Sequence, residues 1–411
     1  MNAMDNALRL PLATPSPASL PRSARSVLML LDAVQTGSLE IRLPDGSQVR
    51  CGQTGDDTAA LEIDSWAVFD RVIERGDVGF AEAFIDGEWH SPDLAALLTL
   101  LANNRQHIAS VVYGRWWSLL AARLRHLFNA NTRSGSRRNI MAHYDLGNDF
   151  YRLWLDPTMS YSSALYPNDA PRPLAGAQLA KYRRILQLLQ ARPGQRVLEI
   201  GCGWGGFAEI AAREAGLQVV GLTLSPAQAE FARERLQMAG VADQARIELC
   251  DYRDLGAQQF DHIVSIEMFE AVGERWWPTY FATLKRLLAA DGRAVVQSIT
   301  IRDELFARYR RGTDFIQQHV FPGGMLPSPT AFRRRAAQSG LVVSGAFAFA
   351  RDYARTLSEW SARFEQQWPR IAALGFEDDF RRLWRFYLAY CQAGFNSGCT
   401  DVVQFELRHA P

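Results

Sequence analysis

Val197-Leu198-Glu199-Ile200-Gly201-Cys202-Gly203-Trp204-Gly205-Gly206 is the stretch that decides the fold. An apolar run enters an acidic residue and then a glycine cluster, which reads as a β-strand turning into the start of a helix. Glycines in such a turn let backbone approach a ligand closely, and the helix N-terminus offers unpaired N–H donors. Glu199 points to the kind of ligand. A carboxylate there repels a pyrophosphate but suits the ammonium and sulfonium of S-adenosylmethionine (SAM). A dinucleotide site also calls for Asp or Glu about 20 residues beyond the glycines, where this chain reads Gly221-Leu222-Thr223-Leu224-Ser225. Both features favour SAM over NAD.

Outward from the turn, residues 175–300 alternate strand and helix patterns, as a doubly wound sheet does. Strands are expected at Arg196–Ile200, Gln218–Leu222, Ile247–Cys250, His262–Ile266 and Arg293–Ile299, with helices such as Pro226–Ala239 and Trp277–Ala289 between them. In such a sheet the ligand lies beyond the carboxyl ends of the strands. Residues 301–411 read as mostly helical and aromatic-rich, a cap over the sheet. The fold class is therefore α/β: a doubly wound, Rossmann-like SAM methyltransferase sheet with a helical cap and a small N-terminal α/β domain.

That small domain is expected over residues 27–105. Ser38 to Arg50 alternates apolar and polar residues around Pro44-Asp45-Gly46, a β-hairpin pattern. Helices follow near 65–76 and 92–103, the second opened by Ser91-Pro92-Asp93. Between Leu94 and Tyr144 the chain has seven arginines and no Asp or Glu. Tyr113, Trp116, Trp117, Leu119, Leu120, Leu124, Leu127 and Phe128 interleave with Arg115, Arg123 and Arg125. Two readings fit residues 106–139: a helix lying on an anionic bilayer, or a linker packed between domains with its arginines solvated. The methyltransferase domain with its cap is expected over residues 140–411.

Composition sets outer limits. The chain has 411 residues, 48% of them hydrophobic, and a net charge of +1, so no global affinity for nucleic acid is expected. Five cysteines without CxxC spacing suggest free thiols in a reducing cytoplasm, and no metal-ligand cluster appears. No apolar run reaches the ~18–20 residues of a spanning helix. Residues 1–26, rich in Pro, Ser and Ala, lack a signal-peptide core and read as a disordered tail, slightly like a transit peptide.

Further segments stand where cofactor and substrate groups belong. They are His143-Tyr144-Asp145-Leu146-Gly147-Asn148-Asp149, Met159-Ser160-Tyr161-Ser162-Ser163, Thr223-Leu224-Ser225-Pro226-Ala227-Gln228, Asp251-Tyr252-Arg253-Asp254, Met268-Phe269-Glu270-Ala271-Val272-Gly273 and Phe321-Pro322-Gly323-Gly324-Met325-Leu326-Pro327-Ser328. Taken with the glycine motif, this ordered set closely resembles the cyclopropane-fatty-acyl-phospholipid synthase family, which includes the mycolic acid cyclopropane synthases. The resemblance covers roughly residues 140–407.

The resemblance implies transfer of the SAM methyl to a cis double bond of an acyl chain. An alkene is a weak nucleophile, so it must be held in a dry pocket and the resulting carbocation stabilised. A base then takes a proton from the added methyl so that the ring closes; in this family that base is a bound bicarbonate. Carried over by position, SAM would contact Tyr161, Ser162, Gly201, Gly203, Trp204, Gly205, Thr223, Leu224, Gln228, Tyr252 and Arg253, with Glu199 beside it and Ile266 lining the adenine. Gln228 would meet the ribose hydroxyls. Glu270 and Tyr353 match the family's active-site glutamate and tyrosine, and Ile299 a position whose backbone N–H faces the anion.

The chain also departs from the pattern. Ser163 stands where many members have Cys, Gln297 where they have His, Ala271 where the glutamate is usually followed by His, and Glu267 where glycine is usual. Gly394-Phe395-Asn396 lacks the Arg often found after Phe. Ser163 and Gln297 can still donate hydrogen bonds to bicarbonate. Losing an imidazole, however, removes a group that exchanges protons near neutral pH, which would suit a methyl-branched or methylene product.

The leading expectation is a SAM-dependent C-methyltransferase on unsaturated phospholipid chains, working peripherally at the cytoplasmic membrane face and forming cyclopropanes. Amine N-methylation on the same scaffold and a non-catalytic binding role are the competing classes. Homodimerisation is left open.

Overall fold

The computed structural model describes residues 20–52, 57–105, 146–167 and 172–411. Most of the N-terminal tail, the basic aromatic segment 106–139 and His143-Tyr144-Asp145 lie outside the described residues. The chain divides into two compact units, one drawn from Met1–Leu120 with Asp378–Ala393, the other from Ala121–Glu377 with Gly394–Pro411.

The first unit is built on four strands, β1 (Ser38–Arg42), β2 (Gln48–Gly52), β3 (Thr58–Ile63) and β4 (Trp89–His90), in the order β2-β1-β3-β4. The expected hairpin is β1 against β2, with Ile41 opposite Val49. Asp45 closes its turn by accepting from the Ser47 N–H at 3.0 Å and the Ser47 hydroxyl at 2.5 Å. The helix expected to end near residue 76 continues as Ala67–Ile85, and Gly76, at φ 62° and ψ −134°, kinks it. Asp93 caps the helix Leu94–Asn103 through the Ala96 N–H at 2.9 Å. Residues 378–393, read from the sequence as part of the cap, belong to this unit instead. Arg382 donates to the carbonyls of Phe84 at 2.5 Å and Trp89 at 3.0 Å, and Phe386 packs on both rings. A guanidinium serving carbonyls at a helix end and in β4 is a local attachment that helix periodicity does not reveal.

The second unit carries seven strands: β5 (Arg196–Ile200), β6 (Gln218–Thr223), β7 (Ala245–Leu249), β8 (Phe260–Ile266), β9 (Leu288–Ile301), β10 (Leu341–Ala348) and β11 (Thr400–His409). Their order is β10-β11-β9-β8-β5-β6-β7. Strands β5 to β9 are parallel, joined by helices including Gly206–Ala215, Pro226–Met238 and Trp277–Leu287. The chain moves from β5 to β6 and β7 on one side, then returns to β8 on the other. That reversal opens a crevice at the carboxyl ends of β5 and β8, where a doubly wound sheet binds its ligand.

The expectation that residues beyond 301 form a helical cap needs one correction. The long helix Ala350–Ala372 is there, but β10 and β11 extend the sheet antiparallel beside β9. Val402, Val403, Phe405 and Leu407 are all buried, because β11 lies inside the sheet with both faces covered, and such strands lose clean alternation. Phe405 stacks on Phe332 at 4.0 Å, joining β11 to the core around Phe269, Trp277 and Phe281.

Phe405→Ala is expected to lower stability by about 3–5 kcal/mol through loss of burial and a residual cavity. Chemical denaturation measures this; a loss within experimental error would mean that β11 is peripheral to the core.

Candidate active site

The glycine turn follows β5 directly. Gly201 has φ 83°, and a Cβ there would fall 2.8 Å from Met268 Cγ, so both conformation and space demand glycine. Gly203, at φ 51°, differs: a Cβ there meets nothing within 4 Å. This face of the turn is open to a ligand. Trp204 is buried beside it, its Nε1 donating to Asn148 Oδ1 at 2.8 Å, while Asn148 Nδ2 donates to the Ala227 carbonyl at 3.2 Å. The turn is thereby tied to the helices Asn148–Trp154 and Pro226–Met238.

Glu199, the residue before the last of β5, is only 2% exposed, and one carboxylate oxygen is buried without a hydrogen-bond partner. Burial pushes its pKa well above the usual carboxylate range, with the Lys181 ammonium as the largest offset. Lys181 is fully buried in the helix Leu174–Leu189 and donates to Ser162 Oγ at 2.5 Å and Gln178 Oε1 at 2.6 Å. Burial lowers its pKa to about 8, although Glu267, Asp156 and Glu199 favour its charged form. Neither Lys181 nor Gln178 was anticipated from the sequence. Both lie on the buried stripe Leu174, Ala177, Gln178, Lys181, Tyr182, Ile185 and Leu189, where two polar residues on an apolar face were the available signal.

At the end of β6, the Thr223 hydroxyl donates to Gln228 Oε1 at 2.8 Å, and both residues are buried. Ser225 caps the following helix through the Gln228 N–H. Leu224 and Ile266 are partly buried, Ile266 packing against the core cluster that contains Phe207. Past β7, Tyr252 is half-buried, whereas Arg253 holds Asp251 in a two-point ion pair of 2.9 and 2.5 Å. The guanidinium is thus already committed to a carboxylate. Tyr161 sits in an aromatic wall, 5.4 Å from both Tyr151 and Trp360 and 5.6 Å from Trp154.

The catalytic candidates converge on a residue outside the expected set, Glu267, just beyond β8. Its Oε1 accepts the Ser163 backbone N–H at 2.9 Å and Gln297 Nε2 at 2.7 Å. Its Oε2 accepts the Tyr353 hydroxyl at 2.6 Å. Gln297 is held in that orientation because its amide oxygen accepts Gln404 Nε2 from β11 at 3.0 Å. The Ser163 hydroxyl turns away to the Ala164 carbonyl. Tyr353 is positioned by stacking on Phe395 at 4.5 Å. Glu267 also has φ 51°, a left-handed backbone unusual for glutamate. One turn on, Glu270 Oε1 accepts the Ile299 N–H at 2.5 Å, while its other oxygen is buried without a partner. The donors expected to surround a bicarbonate therefore serve two side-chain carboxylates of the chain itself.

These two groups do not titrate independently. Burial, then repulsion from Glu267, pushes Glu270 up to about 8. Burial also raises Glu267, opposed chiefly by the Tyr353 hydrogen bond. Glu270 is accordingly the carboxyl that carries a proton near neutrality, beside a Glu267 whose oxygens receive three donors.

A glycine turn with an open face, a buried acid near the end of the first strand of a doubly wound sheet and a carboxylate pair at the crevice define a SAM-dependent methyltransferase. The chain belongs to the mycolic acid cyclopropane synthetase family, whose sequence pattern residues 131–405 match. It is 40% identical over 344 residues to tuberculostearic acid methyltransferase UfaA1 of Mycobacterium tuberculosis, covering 82% of this chain and 80% of that protein. It is 34% identical over 372 residues to cyclopropane-fatty-acyl-phospholipid synthase of Escherichia coli, covering 87% and 92%. The crystal structure of mycolic acid cyclopropane synthase CmaA1 complexed with SAH and CTAB matches with a TM-score of 0.62 at 35% identity, covering 66% of this chain and 97% of that one.

The raised Glu270 fixes the sign of a pH effect. Its contribution to folding is full below the unfolded value near 4.5 and is lost as pH rises through about 8. Denaturant unfolding of the ligand-free protein across that window should show stability falling with pH, and Glu270→Gln should flatten the fall. A variant with the wild-type slope would mean that Glu270 is not held protonated.

Proposed function

We propose that the protein transfers a methyl group from SAM to a carbon of the cis double bond in an unsaturated phospholipid acyl chain. The observation that carries this reading is the crevice itself, where electron-rich side chains gather without an exposed nucleophile. Tyr161, Trp154, Trp360 and Tyr353 form one aromatic cluster, which the Tyr353 hydroxyl joins to the Glu267 carboxylate. Such surroundings favour a developing carbocation, which needs negative potential and exclusion of water.

The chain's residues suit SAM. When bound, SAM supplies an electrophilic methyl on a sulfonium. Gly203 gives backbone access, Gly201 and Gly205 supply the positive φ of the turn, and the unpartnered oxygen of Glu199 favours a cationic group. Because Gln228 Oε1 is engaged by Thr223, its Nε2 is the end left to meet ribose oxygens. Tyr161, Ser162, Leu224, Tyr252 and Ile266 complete the proposed contact set, with Arg253 shaping the turn, since both its side chain and its backbone N–H are committed to Asp251.

The acyl acceptor is supported by the relatives, whose names refer to fatty-acyl phospholipid, mycolic acid or tuberculostearic acid. A phospholipid acceptor implies work at a membrane surface, and among the described residues no helix is long and apolar enough to cross one. Ring closure to a cyclopropane remains the primary product reading. A methyl-branched or methylene product is favoured by Gln297 in place of an imidazole and by the 40% identity to a tuberculostearic acid methyltransferase.

The test is mass spectrometry of unsaturated phospholipid vesicles after incubation with the protein and methyl-trideuterated SAM, with derivatisation of double bonds. Lipid label is expected. Two retained deuteriums without a double bond indicate a cyclopropane, and two with a terminal methylene indicate that alternative. Three indicate proton loss from the chain and a methyl branch. Absence of lipid label while SAM still binds would reject the lipid acceptor and turn the search to amines.

A further inference from the structure

Bicarbonate does not fit the site as this chain builds it. We propose that the Glu267 carboxylate takes the place of a bound anion and is itself the base that removes the proton after methyl transfer. This deepens the acyl methyltransferase reading above and rests on it for the identity of the proton donor.

The geometry carries the argument. The Ser163 N–H, Gln297 Nε2 and the Tyr353 hydroxyl converge on one carboxylate at 2.9, 2.7 and 2.6 Å. A diffusible anion would need the same donors. The donors come from distant parts of the chain, and Gln404 fixes the Gln297 amide so that its NH₂ end faces Glu267. A left-handed backbone at a glutamate is strained, and it persists only where surrounding contacts over-determine it. The Lys181 ammonium favours the ionised form of Glu267, while Glu270 holds the proton that would otherwise set two anions side by side.

The step balances without an outside reagent. After methyl transfer, a C–H bond of the new methyl breaks, its proton goes to a Glu267 oxygen and its electron pair forms the C–C bond to the cationic carbon. If a hydride first shifts to that carbon, the same pair forms a C=CH₂ bond instead. In both cases Glu267 ends as a carboxylic acid beside the Tyr353 hydroxyl, and it returns its proton to solvent before the next turnover.

The test compares wild type with Glu267→Gly and Glu267→Gln, with and without added sodium bicarbonate in carbon-dioxide-stripped buffer. Glycine relieves the backbone strain, so folding should survive, and SAM titration calorimetry checks it. Wild-type lipid methylation should be unchanged by bicarbonate. Both variants should lose on the order of 10²–10⁴-fold in turnover. Bicarbonate should restore Glu267→Gly, whose missing side chain frees the three donors, but not Glu267→Gln, which still fills the space. Wild-type activity that collapses without bicarbonate, or a Glu267→Gly enzyme active without it, would overturn the proposal.

A second readout needs no lipid turnover. Carbon-13 NMR with labelled bicarbonate should show binding to Glu267→Gly and none to wild type. Binding to wild type that is abolished by Tyr353→Phe would overturn the proposal even if the acceptor is not a lipid. Absence of lipid label from wild type, with this binding pattern intact, would instead reject the acyl-acceptor reading alone.

Discussion

An imbalance of charge governs the carboxyl edge of the sheet. Burial raises the carboxyl groups of Glu199, Glu267 and Glu270, and the buried Lys181 ammonium offsets the rise at the first two. Desolvated carboxylates without compensation are costly, so each must find donors, a proton or a cation. Glu267 takes donors, burial favours the protonated form of both Glu270 and Glu199, and one oxygen of Glu199 has no donor. This arrangement disfavours a folded protein without ligand and favours one holding a sulfonium cofactor. The positions of the glycine turn, the helix bearing Lys181 and strand β11 all follow from serving that edge.

The division of labour between the two glutamates is set by their neighbours. Glu267 and Glu270 lie one turn apart beyond β8, yet Ser163, Gln297 and Tyr353 converge on the first, whereas the second meets the Ile299 N–H and the repulsion of the first. Hydrogen bonds to an ionised carboxyl stabilise it by more than bonds to a neutral one. The pair therefore separates into an anion and an acid without any change of residue type. Aromatic faces around Tyr161 and Trp360 extend the negative potential without adding titratable groups.

Much of this was readable along the chain because it is local. Strand β5 and its turn appear as an apolar run, an acid and glycines, and the Pro226 helix announces itself through Ser225. Strands β10 and β11 were not readable. They pair across the two helices Ala350–Ala372 and Asp378–Asn396, and β11, covered on both faces, lacks alternation. The candidate site divides likewise. Ser163, Gln297 and Tyr353 were named through resemblance to a family, and Glu267 stood out as a residue in place of glycine. Their meeting required β8, β9, β11 and the helix Ala350–Ala372 to be assembled first. Lys181 escaped notice because a buried lysine looks, in sequence, like one more charge on a helix.

The left-handed backbone at Glu267 bears on how such an enzyme changes over generations. Its φ of 51° is one that glycine adopts freely, so the main chain need not move when the side chain comes or goes. Two of the glycine codons become glutamate codons by a single base change. A lineage can thus acquire or discard a tethered carboxylate in one mutational event, with the intermediate folded at every stage. Whether catalysis draws on a dissolved ion or on the polypeptide is then a trait that selection can reverse as readily as it fixed it.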